Sequence, residues 1–283
     1  MSRCQQDKRG YVISRRLKLA LVSFIVLFFV GCASIHTTSS GAIGVQRKQW
    51  MSNIVPAAEI EQVAAKQYSA ILADAKKRNK LDTKPNQTQR VRQVMRHLVQ
   101  HVGVFREDAK HWPWEIHVID DSQVNAWCMP NGKMAVYSGL IEQLELNDDE
   151  LAAVIGHEIA HALREHAREQ MSQQVATEVG LSVLSAILGS SVVDDLGATL
   201  TNVVINLPNS RTQEAEADRM GVELAARAGY DPRAAIQVWE KMAQLGGSNG
   251  PEFLSTHPSP TSRMQDLEKA AQQMMPLYQK KVK

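Results

Sequence analysis

Asp148-Asp149-Glu150-Leu151-Ala152-Ala153-Val154-Ile155-Gly156-His157-Glu158-Ile159-Ala160-His161 is the stretch from which the fold can be read. Three acids open it, as they should where a helix N-terminus carries partial positive charge. Small and apolar residues then surround two histidines. At a spacing of four, both imidazoles lie on one helical face, one turn apart, where they can share a single Zn²⁺. Glu158 lies beside them and is placed as the general base for an attacking water. Polar groups set among so many apolar ones need a partner, and a metal ion supplies it.

Two positions need filling: a third ligand and a group for the developing charge. A metzincin would place His at position 167 and Gly at 164; Ala167 and Arg164 stand there, so that class is excluded. Downstream runs Ser210-Arg211-Thr212-Gln213-Glu214-Ala215-Glu216-Ala217-Asp218. Glu214 and Asp218 are one helical turn apart, so one carboxylate can bind zinc while the next orients a ligand imidazole. We assign Glu214 as the ligand, Asp218 as its companion and Glu216 as a solvated or structural residue. Ser255-Thr256-His257-Pro258-Ser259-Pro260-Thr261-Ser262-Arg263 follows. Its His257 and Arg263 can sit over the metal and stabilise an oxyanion.

Taken together, the three pieces resemble peptidase family M48, the zinc proteases that include the CAAX-prenyl-protease type and membrane quality-control proteases. The family order HExxH, ExxAD, HPxxxxR is met by His157–His161, Glu214–Asp218 and His257–Arg263. The segment Asn125-Ala126-Trp127-Cys128-Met129-Pro130-Asn131-Gly132 looks like the family's strand beside the cleft, followed by Val136-Tyr137-Ser138-Gly139-Leu140. The resemblance spans roughly Trp114 to Leu267. It implies a zinc endopeptidase of gluzincin layout with one Zn²⁺ per chain. Glu158, His257 and Arg263 would act on the reaction, and Asn125, Ala126, Trp127, Cys128 and Met129 would bind substrate. Integral members of the family carry several membrane spans, whereas this chain has one short N-terminal run, so it looks like the lipoprotein branch.

That N-terminal run reads as an address. Arg15, Arg16 and Lys18 precede an apolar stretch from Leu19 to Val30, interrupted only by Ser23. A charged region followed by a short apolar one describes a secretory signal, and about 20 residues are needed to span a bilayer. Val30-Gly31-Cys32 resembles a bacterial lipobox, with Cys32 as the lipidated residue; Phe29 departs from the usual aliphatic. An uncleaved anchor and a simple cleavage remain alternative readings. Ala33 after the cysteine, by analogy with lipoproteins, favours an outer-membrane lipoprotein facing the periplasm of a bacterial envelope. Of the other cysteines, Cys4 leaves with the signal, and Cys128 reads as a buried small hydrophobe.

Charge follows the same division. The 283 residues hold 32 basic and 30 acidic side chains. Residues 1–31 take six of the basic and one of the acidic, leaving 26 against 29, a net of −3. With aromatic residues at 5%, neither a nucleic-acid footprint nor a base-stacking platform remains.

The expected organisation is a signal peptide over 1–31, a flexible Ser/Thr/Gly-rich tether over 32–55 and one metallopeptidase domain over 56–283. Within that domain, helices cover 57–102 and the catalytic core runs from 114 to 267. The fold class is α+β, mainly helical, with a small sheet beside the active-site helix. Helical spacing predicts helices over Ala57–Lys80 and Thr88–His101. A strand is expected over Trp114–Ile119, with two more around the turn Pro130-Asn131-Gly132. The apolar run Val183–Val193 reads as a core helix, or as a lid or membrane-facing helix. His166, five residues past His161, is expected to point away from the metal face as a surface residue or a support to the ligands. His36, His97, His101, His111 and His117 read as structural or solvated. The expected substrates are unfolded or misassembled envelope proteins, and the membrane is reached through the lipid anchor. A chaperone or assembly factor with a masked protease site is the rival reading, and a purely structural zinc protein a second. Against the latter, a structural site needs no base beside its ligands.

Overall fold

The computed structural model describes residues 32–52, 55–174, 177, 196–245, 252–258 and 261–282. Two strands come first, β1 (Cys32–Ile35) and β2 (Gln49–Ser52), paired antiparallel from Cys32 opposite Ser52 to Ile35 opposite Gln49. Helices α1 (Ala57–Lys77) and α2 (Pro85–Val99) follow. The three-stranded sheet holds β3 (Glu115–Ile119), β4 (Ala126–Met129) and β5 (Lys133–Tyr137) in the order β3-β5-β4. β3 runs parallel and β4 antiparallel to β5. After the short α3 (Ser138–Gln143) comes α4 (Asp148–Leu163), and then α5 over residues 166–174. The remaining helices are α6 (Leu196–Ile205), α7 (Arg211–Ala228), α8 (Ala234–Gln244), α9 (Glu252–Thr256) and α10 (Thr261–Lys281).

Period-two alternation makes the sheet a partition between two cores. Ala126, Cys128, Met134 and Val136 face the core built with α2, α4, α7, α8 and α10. Trp127, Met129 and Ala135 face a second one with α1 and α6. With both faces covered, every residue of β4 is buried. The mainly helical α+β class is therefore observed, with the sheet beside α4. The run Val183–Val193 and the apolar stretch Leu19–Val30 lie outside the described residues. No helix among the described residues is long and apolar enough to cross a membrane.

The expected tether is the main correction. Its described part, residues 32–52, is packed onto the body. Ile43, Val45 and Met51 are buried, and so are Thr38, Gln49 and Ser52. Glu223 of α7 accepts hydrogen bonds from the amides of Ala42 (3.1 Å) and Ile43 (2.8 Å), and Ser39 donates its amide to the Phe105 carbonyl at 2.7 Å. A polar composition did not mean solvent here, because the buried Arg164 and buried carboxylates on α5 and α7 take these groups as partners.

Helices α4 and α7 cross backbone to backbone. A Cβ placed on Gly221 would lie 2.8 Å from the His157 amide nitrogen, and one on Gly156 would lie 3.0 Å from the Gly221 carbonyl oxygen. That approach requires glycine at 221, and glycine at 156 eases it. Capping boxes fix where each helix starts, Asn147 with Glu150 on α4 and Ser210 with Gln213 on α7. The start of α7 thereby falls across the histidine face of α4.

Candidate metal centre

His157, Glu158 and His161 lie on α4, which is buried from Glu150 to Leu163. The two ligand nitrogens, both Nε2, are 3.0 Å apart. Glu214, one turn into α7, sets Oε1 3.3 Å from His161 Nε2 and Oε2 3.5 Å from His157 Nε2. His257 brings its Nδ1 to 2.9 Å from Glu214 Oε1 and 3.2 Å from His157 Nε2. One ligand atom from each of the four lies within 4.8 Å of the others, and all four residues are buried.

The chemistry of this donor set fits one zinc ion. Imidazoles with one carboxylate suit Zn²⁺ better than a hard cation that prefers oxygen alone. Converging lone pairs, buried together, call for a cation between them. Glu214 Oε2 accepts no hydrogen bond, although Arg263 Nη1 stands 2.6 Å away: the charges are close, but no N–H points along the contact. The same holds for Glu158 Oε1, which lies 3.4 Å from His257 Nε2 without a hydrogen bond.

Around the ligands the electrostatics are arranged by named partners. Burial opposes a charge on His157, but Asp218 and Glu214 outweigh it and raise the imidazole to about 9. His161 is held well below its ordinary value by burial, ready to offer a lone pair. Burial alone would raise Glu214, yet the neighbouring imidazoles keep it ionised. Glu158 is pushed up by burial, which makes it a stronger proton acceptor than a solvated carboxylate.

Asp218 takes the expected position. Its Oδ1 is 3.0 Å from His157 Nδ1, turning the Nε2 lone pair toward the ligand group. Arg263 does not sit over the reaction centre as expected. Its Nη2 donates to Asp218 Oδ1 at 2.8 Å and its Nη1 to the Pro258 carbonyl at 3.2 Å. The guanidinium also stacks 4.0 Å from the centre of the Trp239 ring. With its donors on Asp218 and the Pro258 carbonyl and its charge 2.6 Å from Glu214 Oε2, Arg263 positions the site and leaves oxyanion contact to His257. That imidazole stacks on Phe253, with ring centres 4.2 Å apart.

Glu158, His161 and His257 line a small pocket together with Cys128, Pro130 and Val203. Cys128 is a free, buried thiol, as its composition implied. Along β4 the Tyr137 amide donates to the Asn125 carbonyl at 3.1 Å. By antiparallel alternation Trp127 and Met129 also pair with β5, while the amides and carbonyls of Ala126 and Cys128 point away from it. Asn125 Oδ1 accepts from the Ala126 amide at 2.9 Å. The Trp127 and Met129 side chains face the second core, so this strand can meet a peptide through its backbone and not through those side chains.

Of its two expected placements, His166 takes the one behind a ligand and not the one on the surface, and it does not point away from the metal face. The helix breaks after Leu163, and Glu165 takes a left-handed φ of 51°. The break swings His166 back, its Nδ1 2.8 Å from His161 Nδ1 and its Nε2 3.1 Å from Glu216 Oε2. The interruption of an apolar helix by Arg164-Glu165-His166 was the available signal. Glu216 is buried and structural, accepting from Arg164 and from Arg47. Arg47 belongs to the segment expected to be tether.

The sequence is also similar to known proteins. The sequence pattern of Peptidase family M48 matches residues 85–271. Mitochondrial metalloendopeptidase OMA1 of Arabidopsis thaliana is 41% identical over 157 residues, 56% of this chain and 31% of that protein. The namesake of Saccharomyces cerevisiae is 35% identical over 165 residues, covering 55% and 46%. Beta-barrel assembly-enhancing protease of Escherichia coli is 30% identical over 203 residues, covering 68% and 40%. The chain thus spans less than half the length of these relatives.

Proposed function

Because the chain belongs to peptidase family M48, we propose that it is a zinc-dependent metalloendopeptidase that hydrolyses peptide bonds of unfolded or misassembled proteins in a bacterial envelope. The observation that carries this reading is the convergence of His157, His161 and Glu214 beside an unpartnered, buried Glu158 carboxylate oxygen. A zinc ion held by those three residues supplies Lewis acidity at the scissile carbonyl. Glu158 Oε1 takes the proton of the attacking water and delivers it to the leaving amine. His257 Nε2, on the cavity side of the ligands, donates to the carbonyl oxygen as negative charge gathers there. Asp218 and Arg263 hold the His157 ring and the Glu214 carboxylate still while this happens.

Substrate enters as an extended chain. The outward Cys128 amide and the carbonyls of Ala126 and Cys128 offer backbone pairing, which tolerates many sequences and selects for segments that are not folded. A quality-control role follows from that selection. It agrees with the names of the relatives, one a mitochondrial protease and one a protease that enhances β-barrel assembly. The apolar run Leu19–Val30 and Cys32 support an outer-membrane lipoprotein facing the periplasm. Since β1 begins at Cys32 itself, a lipid there would hold the enzyme directly at the membrane surface.

The test is mass spectrometry of peptides released from casein by the purified protein, with and without chelator. Chelator should abolish release and added zinc restore it; cleavage that ignores chelator would refute the proposal. A second reading, an assembly factor with a masked site, is favoured by His257 lying within reach of the same metal. Under that reading Glu158→Gln would leave envelope assembly intact.

A further inference from the structure

We propose that His166 is a positioning residue for the metal ligand His161, and that the N-terminal strap, residues 32–52, is built into the metal centre through Arg47 and Glu216. The inference rests on the zinc reading above and extends it to His166, Glu216 and Arg47, none of which is a ligand. The strap also lies outside the 85–271 family match.

Two imidazole nitrogens at 2.8 Å, His161 Nδ1 and His166 Nδ1, must be one donor and one acceptor. If His161 gives its Nε2 lone pair to a metal, its Nδ1 carries the proton and donates it to His166 Nδ1. His166 is then protonated on Nε2, which faces Glu216 Oε2 at 3.1 Å. Ligation therefore forces a single polarity along His161, His166 and Glu216, ending on a carboxylate that must stay ionised. That carboxylate is held by two arginines. Arg164 donates to Oε2 at 2.9 and 3.1 Å and is fully buried. Arg47 donates to Oε1 at 2.7 Å and to Oε2 at 3.0 Å, and it grips Glu169 of α5 at 2.6 and 2.8 Å.

The two ligand histidines are thus held by different means. His157 is oriented from within the family pattern, by Asp218. His161 is oriented by a break in the helix and by an arginine from a segment 114 residues away, counted from Arg47 to His161. Arg164 closes the arrangement by donating to Thr38 Oγ1 at 3.1 Å and to the Arg47 carbonyl at 3.0 Å, both within the strap.

The test is Zn²⁺ affinity of the full chain by chelator competition, with the absorption spectrum of Co²⁺ in the same site as a report on ligand geometry. His166→Phe removes the acceptor and the donor together. Loss of such an outer partner should weaken zinc about 10- to 100-fold. His166→Gln has an amide oxygen and nitrogen that can span the same two partners, so it should recover most of the affinity. Arg47→Gln should weaken zinc by more than about threefold and shift the Co²⁺ spectrum. Glu223→Gln is the control, because it loosens the strap where the Ala42 and Ile43 amides attach, about two turns along α7 from Glu216. It should lower the urea midpoint of the metal-free protein and leave zinc affinity alone. The proposal is overturned if Arg47→Gln binds zinc as the parent does, or if Glu223→Gln weakens it equally. Should His166→Phe not fold, the Gln variants decide alone. A parent protein that binds no zinc overturns the metal centre itself, and this proposal with it.

Discussion

Substituting alanine for Gly221 probes the contact that puts Glu214 across the histidine face. The added Cβ would sit 2.8 Å from the His157 amide nitrogen and 3.0 Å from the Gly156 carbonyl carbon, where ordinary contact begins near 3.4 Å. The obstacle is backbone, which cannot rotate aside, so α4 and α7 must separate by about 0.6 Å, the difference between those distances. Overpacking of this kind costs about 1–3 kcal/mol, and a clash with backbone belongs in the upper half of that range. Alanine returns about 1 kcal/mol of helix propensity. The net loss should be about 1–2 kcal/mol, read from urea unfolding of the metal-free protein by far-ultraviolet circular dichroism. Zinc affinity should fall on the order of tenfold, since functional geometry is held to about 0.5 Å. Gly156→Ala meets the Gly221 carbonyl oxygen at 3.0 Å and its next neighbour at 3.4 Å, so its effect should be smaller. If both variants gain stability, as propensity alone dictates, and bind zinc unchanged, the close crossing is not what assembles the site.

Acid should act through Glu169. Burial would raise its carboxyl, but hydrogen bonds and charge from Arg47 hold it below its ordinary value of 4.5. A depressed group contributes stability that is complete above that value and lost as pH falls below it. Urea midpoints measured from pH 7 down to 3 should therefore drop more steeply for the parent than for Glu169→Gln; parallel curves would contradict this. His257→Ala should keep zinc, because His157, His161 and Glu214 remain, and should lose about 10²- to 10³-fold in casein cleavage if His257 donates to the oxyanion. A variant that loses its zinc stoichiometrically would make His257 an obligatory ligand. Cys32→Ser should abolish palmitate labelling in growing cells, and unchanged labelling would place the anchor elsewhere.

The parts of the site that depend on one helix were legible in the sequence. The interval from His157 to His161 fixes a shared face, and Glu214 and Asp218 repeat the argument on α7. The strands were legible too: β3 alternates because Glu115 and His117 are only half-buried, and β4 and β5 flank the turn Pro130-Asn131-Gly132. What escaped the sequence was set by contacts between distant segments. Residues 32–52 have the composition of a linker, yet Thr38, Arg47 and Gln49 are partners of buried charges on other helices. Nothing local distinguishes a polar residue that meets water from one that meets Arg164. The direction of His166 escaped for a different reason: its spacing describes an unbroken helix, and Glu165 breaks that helix with a backbone angle that a glutamate rarely adopts. Arg263 lay in the right motif with the wrong task, since its reach to Asp218 or to the cavity depends on how α10 approaches α7.

Glu158→Gln tests the central claim most directly. The amide keeps the shape of the side chain and removes the proton acceptor, while the residues that hold zinc are untouched. Zinc content and casein cleavage should be measured on the same preparation. Zinc should stay near one per chain, and cleavage should fall by about 10²- to 10⁴-fold, as for loss of a positioned acid–base group. Protein that holds its zinc and still cleaves at more than about a tenth of the parent rate would contradict the assignment of Glu158 as the base, and with it the mechanism proposed for this site.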